Sequence, residues 1–219
     1  MKTENSKAIE EPFTEKQELA NTVIHALGIL LGFVAVPFLI TISIKNNDTN
    51  SIIGSVIYGI CFLMTFTFST MFHWCKKENR KCKLEMLDYI SIYFLIAGTY
   101  TPFVLNFMPN TSGIILLCLV WGCTVAGTLF KIFFVNRNTT ATILFYLFTG
   151  LLFLIKCESF FAQMPYTVAL LIITGVVLYV LGITFFVWKK WYYHHAIWHL
   201  FVLAASICHL AAVYLTVEG

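Results

Sequence analysis

The stretch HHAIWHLFVLAASICH, residues 194–209, holds four of the chain's six histidines inside a run otherwise rich in Ala, Leu, Ile, Val and Phe. On a helix, His195 and His199 fall on one face about 6 Å apart along the axis, a spacing at which two imidazoles reach one metal ion. His194 points elsewhere, and His209 lies ten residues, or about 15 Å, beyond His199 and is turned by roughly 80°. A lone intramembrane histidine is commonly a hydrogen-bonded packing residue. A pair at this spacing, in a span where ionisable residues are functional by default, calls for a third ligand from elsewhere in the chain.

His73 in STMFHW is the candidate, with Ser69 one turn away on the same face, and Asp88 in LDYISIYFLIAGTYTP, at the opening of the third apolar span, is the candidate carboxylate. Three histidines with a fourth position open to water are the coordination of a catalytic zinc. Taken singly, each residue has a plainer reading: His73 as an interfacial histidine, Asp88 as a helix cap, Ser69 as a hydroxyl bonded to the preceding turn. A zincin helix reads His-Glu-x-x-His and carries its own base, whereas Ala196 follows His195 here. The base must come from outside the helix, and Asp88 is the residue expected to take a proton from water or to hold that water. Ser69 could orient a ligand or hydrogen-bond a substrate carbonyl.

These residues need a scaffold that brings distant positions together. The chain is 59% hydrophobic and 11% charged with a mean hydropathy of +0.82, outside the range of soluble domains, where about a quarter of residues are charged. It is expected to be an all-α integral membrane protein: a polar segment, residues 1–17, precedes a membrane domain, residues 18–219. Residues 1–17 lack the apolar core and cleavage site of a signal peptide. Apolar segments at about 19–44, 51–74, 86–108, 112–134, 138–156, 165–188 and 194–216 predict a bundle of seven transmembrane helices. The fifth is the weakest, interrupted near its end by Lys156 and Glu158. The seven cysteines show no C-x-x-C and read as free thiols or small apolar residues. No basic patch with interleaved aromatics points to nucleic acid, so membrane lipids are the expected partners.

Twelve lysines and arginines fall in the N-terminus and the second–third, fourth–fifth and sixth–seventh loops, against Lys45 and Lys156 in the others. That bias predicts a cytoplasmic N-terminus and, after seven spans, a C-terminus outside. With this topology His73 closes the second span at the level where Asp88 opens the third and His195 and His199 open the seventh. Their agreement in depth favours one shared site over separate accidents.

On these residues the sequence resembles the hemolysin III proteins, bacterial members of the progestin and adipoQ receptor group that includes the adiponectin receptors. The matching residues are Glu18, Asn21 and His25 with Gly28 (ELANTVIHALG), Ser69 and His73, Asp88 to Pro102, and His195, His199 and His209. The resemblance covers nearly the whole chain. It implies a seven-span fold in the bacterial cell membrane with a cytoplasmic N-terminus, and zinc held at His73, His195 and His199 with Asp88 nearby. The wider superfamily includes alkaline ceramidases, which implies hydrolysis of lipid amides; the bacterial members are linked to hemolysis and to control of membrane fluidity.

Glu18, Asn21 and His25 lie within about 60° of one another on the first helix. Glu18 and Asn21 either dress the helix start while His25 satisfies a neighbour, or the three form a second shell or proton path beside the zinc, with His209 as a further candidate. Pro102 is expected to kink the third span and widen a cavity. Three functions follow: an intramembrane zinc hydrolase of a lipid amide or ester, a sensor or receptor stapled by zinc, and a pore-forming cytolysin. No span carries a polar stripe along its length, which argues against the pore.

Overall fold

The computed structural model describes residues 13–133 and 139–219. Lys2, Lys7 and Arg137, used above for orientation, lie outside the described residues, as does most of the polar segment 1–17.

Among the described residues there is no strand, and seven helical segments are long and apolar enough to cross a membrane. They are α1 (Glu15–Lys45), α2 (Thr49–Trp74), α3 (Glu78–Phe107), α4 (Thr111–Phe133), a fifth span built from α5 (Thr139–Gly150), a 3-10 turn (Leu152–Lys156) and α6 (Cys157–Phe161), then α7 (Tyr166–Val187) and α8 (His194–Glu218). The chain is an all-helical, multi-pass protein of the cell membrane. Long apolar side chains such as Phe33, Val34 and Phe133 stand exposed on its outer surface, as expected where the solvent is lipid.

Helix α1 starts where local chemistry tells it to. The Thr14 hydroxyl accepts the Gln17 N–H while the Gln17 side chain accepts the Thr14 N–H, a reciprocal cap that satisfies two orphan donors. The cap is therefore Thr14 with Gln17, while Glu18 stands in the first turn and Asn21 beyond it. Helix α3 begins earlier than its apolar run, at Glu78, because ENRKCKLEM is made largely of good helix formers. Asp88 consequently sits ten residues inside α3, which excludes its reading as a helix cap.

Helices α1 and α2 run antiparallel in close contact. A Cβ added at Gly28 would overlap the Phe66 ring, and one at Gly32 would press on Leu63 and Phe62. Gly54 likewise receives Pro102, so α2 and α3 approach closely at that level, and α3 runs unbroken through Pro102 to Phe107. The aromatic core continues through Tyr58, Phe62, Phe66, Phe103 and Phe160, all nearly fully buried.

The fifth span breaks after Gly150 and continues to Phe161, past Lys156 and Glu158, both exposed. The break is bridged from α3: the Tyr100 hydroxyl donates to the Gly150 carbonyl at 2.8 Å and accepts the Phe153 N–H at 3.1 Å. A backbone interruption at membrane depth is tolerable only where its polar groups find such partners.

Candidate metal centre

The α1–α2 register sets Asn21 beside His73 and Gly28 beside Phe66, which brings His25 level with Ser69. His73 occupies the last turn of α2 and His195 and His199 the first turns of α8, so ligands 122 and 126 residues apart arrive at one end of the bundle. One nitrogen from each of the three lies within 4.8 Å of the others. Nε2 of His73 and Nε2 of His199 stand 3.0 Å apart. Two nitrogens bound about 2.05 Å from a tetrahedral ion are about 3.3 Å apart, so this pair is spaced as two ligands of one ion would be. Three imidazoles, neutral donors facing one another in a buried pocket, fit a divalent metal of the borderline class.

The outer nitrogen of His73 is also occupied. Its Nδ1 lies 2.6 Å from a Glu18 carboxylate oxygen, and the Asn21 amide nitrogen lies 3.4 Å from the same atom. Lys81, from the first turns of α3, donates to the other Glu18 oxygen. The Phe13 ring lies over the histidines, 4.6 Å from the His195 ring and 6.4 Å from the His73 ring. The Thr14 hydroxyl meets the Tyr192 hydroxyl at 2.7 Å, and Gln17 donates to the Tyr192 carbonyl, so the start of α1 is tied to the loop that leads into α8.

Asp88 and Ser69 line the same cavity as the three histidines, and Asp88 interacts electrostatically with His73. The Ser69 hydroxyl interacts with the Asp88 carboxylate without meeting hydrogen-bond geometry, and its oxygen is buried without a hydrogen-bond partner. His25 is 2% exposed, and both its ring nitrogens are likewise unpartnered. Its ring stands edge-on to His199 at 4.1 Å and parallel to His73 at 6.2 Å, beside the three-nitrogen group and outside it. Unpartnered buried polar atoms beside a cavity mark where a ligand or water is held.

The cavity measures about 1500 Å³ and reaches from the histidines to Tyr100, Phe160, Ile172 and His209. It exceeds the usual 300–1,000 Å³ of a small-molecule pocket and has a largely apolar deep end. His209 belongs to that deep wall: its Nε2 bonds the Ile172 carbonyl at 3.2 Å and its ring fills the space that a side chain at Gly175 would take. His194 turns away to the Phe185 carbonyl.

The structure thus gathers His73, His195, His199, Ser69, Asp88, Glu18, Asn21 and His25 at one end and sets His209 apart. Sequence reasoning missed Phe13, Lys81 and Tyr192. Only the capping box in FTEKQ hinted that α1 begins at the site; the partners of Lys81 and Tyr192 lie 63 and 175 to 178 residues away, beyond any periodicity.

Comparison with known proteins shows what the chain is similar to. The profile of the family described as Haemolysin-III related matches residues 13–210. The chain is 39% identical over 194 residues to the Hemolysin-3 homolog of Bacillus subtilis (strain 168), covering 89% of this chain and 91% of that protein. It is 35% identical over 191 residues to Hemolysin-3 of Bacillus cereus, 87% of each. At 28% over 205 residues it resembles the human Monocyte to macrophage differentiation factor, covering 90% of this chain and 83% of that protein. No solved structure matches the chain.

Proposed function

The chain belongs to the Haemolysin-III related family, and on that premise we propose that it is a zinc-dependent intramembrane hydrolase acting on a lipid amide or ester. The observation that carries this reading is the three-histidine group opening into a large apolar cavity beside an aspartate and a serine that are not part of the group. His73, His195 and His199 would hold the ion. When bound, it supplies a Lewis acid that polarises a carbonyl oxygen and makes water acidic enough to be a nucleophile near neutral pH.

The chain's own residues do the rest. Asp88 accepts the proton that water loses on attacking the carbonyl carbon, and returns it to the leaving amine or alkoxide. Ser69, whose buried oxygen has no hydrogen-bond partner, would turn its hydroxyl to the substrate carbonyl. The apolar deep end takes the hydrocarbon chain and excludes water from it, so that only the cleavable bond reaches the polar end. The test is metal analysis of purified wild type and His73→Ala, joined to release of fatty acid from a panel of lipid amides and esters. Metal in wild type only, with release in wild type only, supports the reading.

A second reading is a sensor in which the ion joins α2 to α8. It is favoured by the way the cluster ties together helices that otherwise meet mainly through α1. The names of the Bacillus relatives speak of hemolysis by those proteins. A pore is the weakest reading here, because no span carries a polar stripe along its whole length.

A further inference from the structure

We propose that the first turns of α1 are a positioning clamp for the metal ligands, with Glu18 as the residue that fixes His73; the inference rests on the metal reading above. An imidazole offers a metal one nitrogen only when the other carries the proton, and which nitrogen that is depends on its partner. Nδ1 of His73 faces a carboxylate oxygen at 2.6 Å. A carboxylate accepts and does not donate, and its contact at 2.6 Å outweighs that of the Asn21 amide nitrogen at 3.4 Å, so Nδ1 carries the hydrogen and Nε2 keeps its lone pair. Nε2 is the atom that points into the three-histidine group, 3.0 Å from Nε2 of His199.

Glu18 is itself held. Lys81 of α3 occupies its second oxygen, leaving the first for His73. Glu18 also stands on the turn that the Thr14–Gln17 cap makes rigid. The same turn reaches the other ligand helix: Thr14 and Gln17 hold Tyr192, two residues before the start of α8, and Phe13 packs on His195. One short segment therefore sets the tautomer of the α2 ligand and the approach of the α8 ligands without supplying a ligand itself. An ordinary ion pair between Glu18 and Lys81 would explain none of the contacts to His73, Tyr192 or His195.

The experiment compares Glu18→Ala, Glu18→Gln and Lys81→Met with wild type and His73→Ala, reading zinc affinity by competition with a chelator and the visible absorption of the cobalt-substituted protein. Loss of an outer partner of a metal-bound histidine typically lowers metal affinity about 10–100-fold. Glu18→Ala is expected to fall in that range and to shift the cobalt bands. Glu18→Gln, whose amide oxygen can still accept from Nδ1, should recover most of the affinity and the wild-type bands, an outcome that a merely structural role for Glu18 does not predict. Lys81→Met should give a smaller loss than Glu18→Ala. If Glu18→Ala fails to fold, a Glu18→Gln protein no better than His73→Ala overturns the proposal. Wild-type affinity and unchanged cobalt bands in Glu18→Ala also overturn it, while His73→Ala still losing metal leaves the metal reading standing. Retention of metal by His73→Ala would sink the metal reading and the clamp with it.

Discussion

Nε2 of His73, at the end of α2, and Nε2 of His199, in the second turn of α8, face each other at 3.0 Å. Two imidazole nitrogens approach so closely either by sharing a proton or by sharing a metal, and the nearby His195 nitrogen completes a set for the second.

Replacing His73, His195 or His199 by Ala should each abolish tight metal binding, measured as metal per chain after purification, with about one zinc expected in wild type. His194→Ala and His209→Ala should keep it, because their rings bond the Phe185 and Ile172 carbonyls away from the group. Loss of metal in His209→Ala as complete as in His195→Ala would show that the ligand set is wrong.

Asp88→Asn separates catalyst from staple. Three neutral imidazoles still bind the ion, so metal content and thermal stability should persist while fatty acid release from lipid amides falls by at least about 100-fold, the lower range for losing a general base. Metal and stability falling together would instead make Asp88 a fourth ligand of a structural site.

Tyr100→Phe keeps the ring and removes the hydroxyl that bridges Gly150 and Phe153. The Phe153 N–H is then left unpaired where water is scarce, at a cost of about 1–3 kcal/mol. The thermal midpoint in detergent should fall accordingly. An unchanged midpoint would mean that the break in the fifth span needs no support from α3.

Gly28→Ala puts a methyl group where the Phe66 ring already lies, whereas Gly122 has nothing within 4 Å of the corresponding position. Overpacking costs about 1–3 kcal/mol. Gly28→Ala should therefore destabilise the protein and Gly122→Ala should not; equal midpoints for the two would argue against the close α1–α2 contact.

A reporter fused at Gly219 should be active outside the cell and one fused in the 75–77 loop active inside it, as the distribution of lysine and arginine predicts. Both active on the same side would require an even number of crossings between them.

Much of this protein was legible without coordinates because lipid imposes a coarse rule on sequence: a span must be long, apolar and helical. That rule located the seven spans, most of them to within a few residues of the observed helices. Helical spacing likewise singled out His195 with His199 and Ser69 with His73, since residues four apart share a face whatever surrounds them. The same rule misjudged the edges, because helix α3 continues on helix propensity through the polar residues from Glu78, and the fifth span runs past its charges to Phe161. Tertiary structure alone decided which nitrogen of His73 faces its partners, that Lys81 anchors Glu18, that Tyr192 and Phe13 join the site, and that His209 meets the Ile172 carbonyl. Those relations depend on the rotation and register of helices packed against one another. A period read along one helix fixes the angle between its own side chains and says nothing about which neighbour they meet.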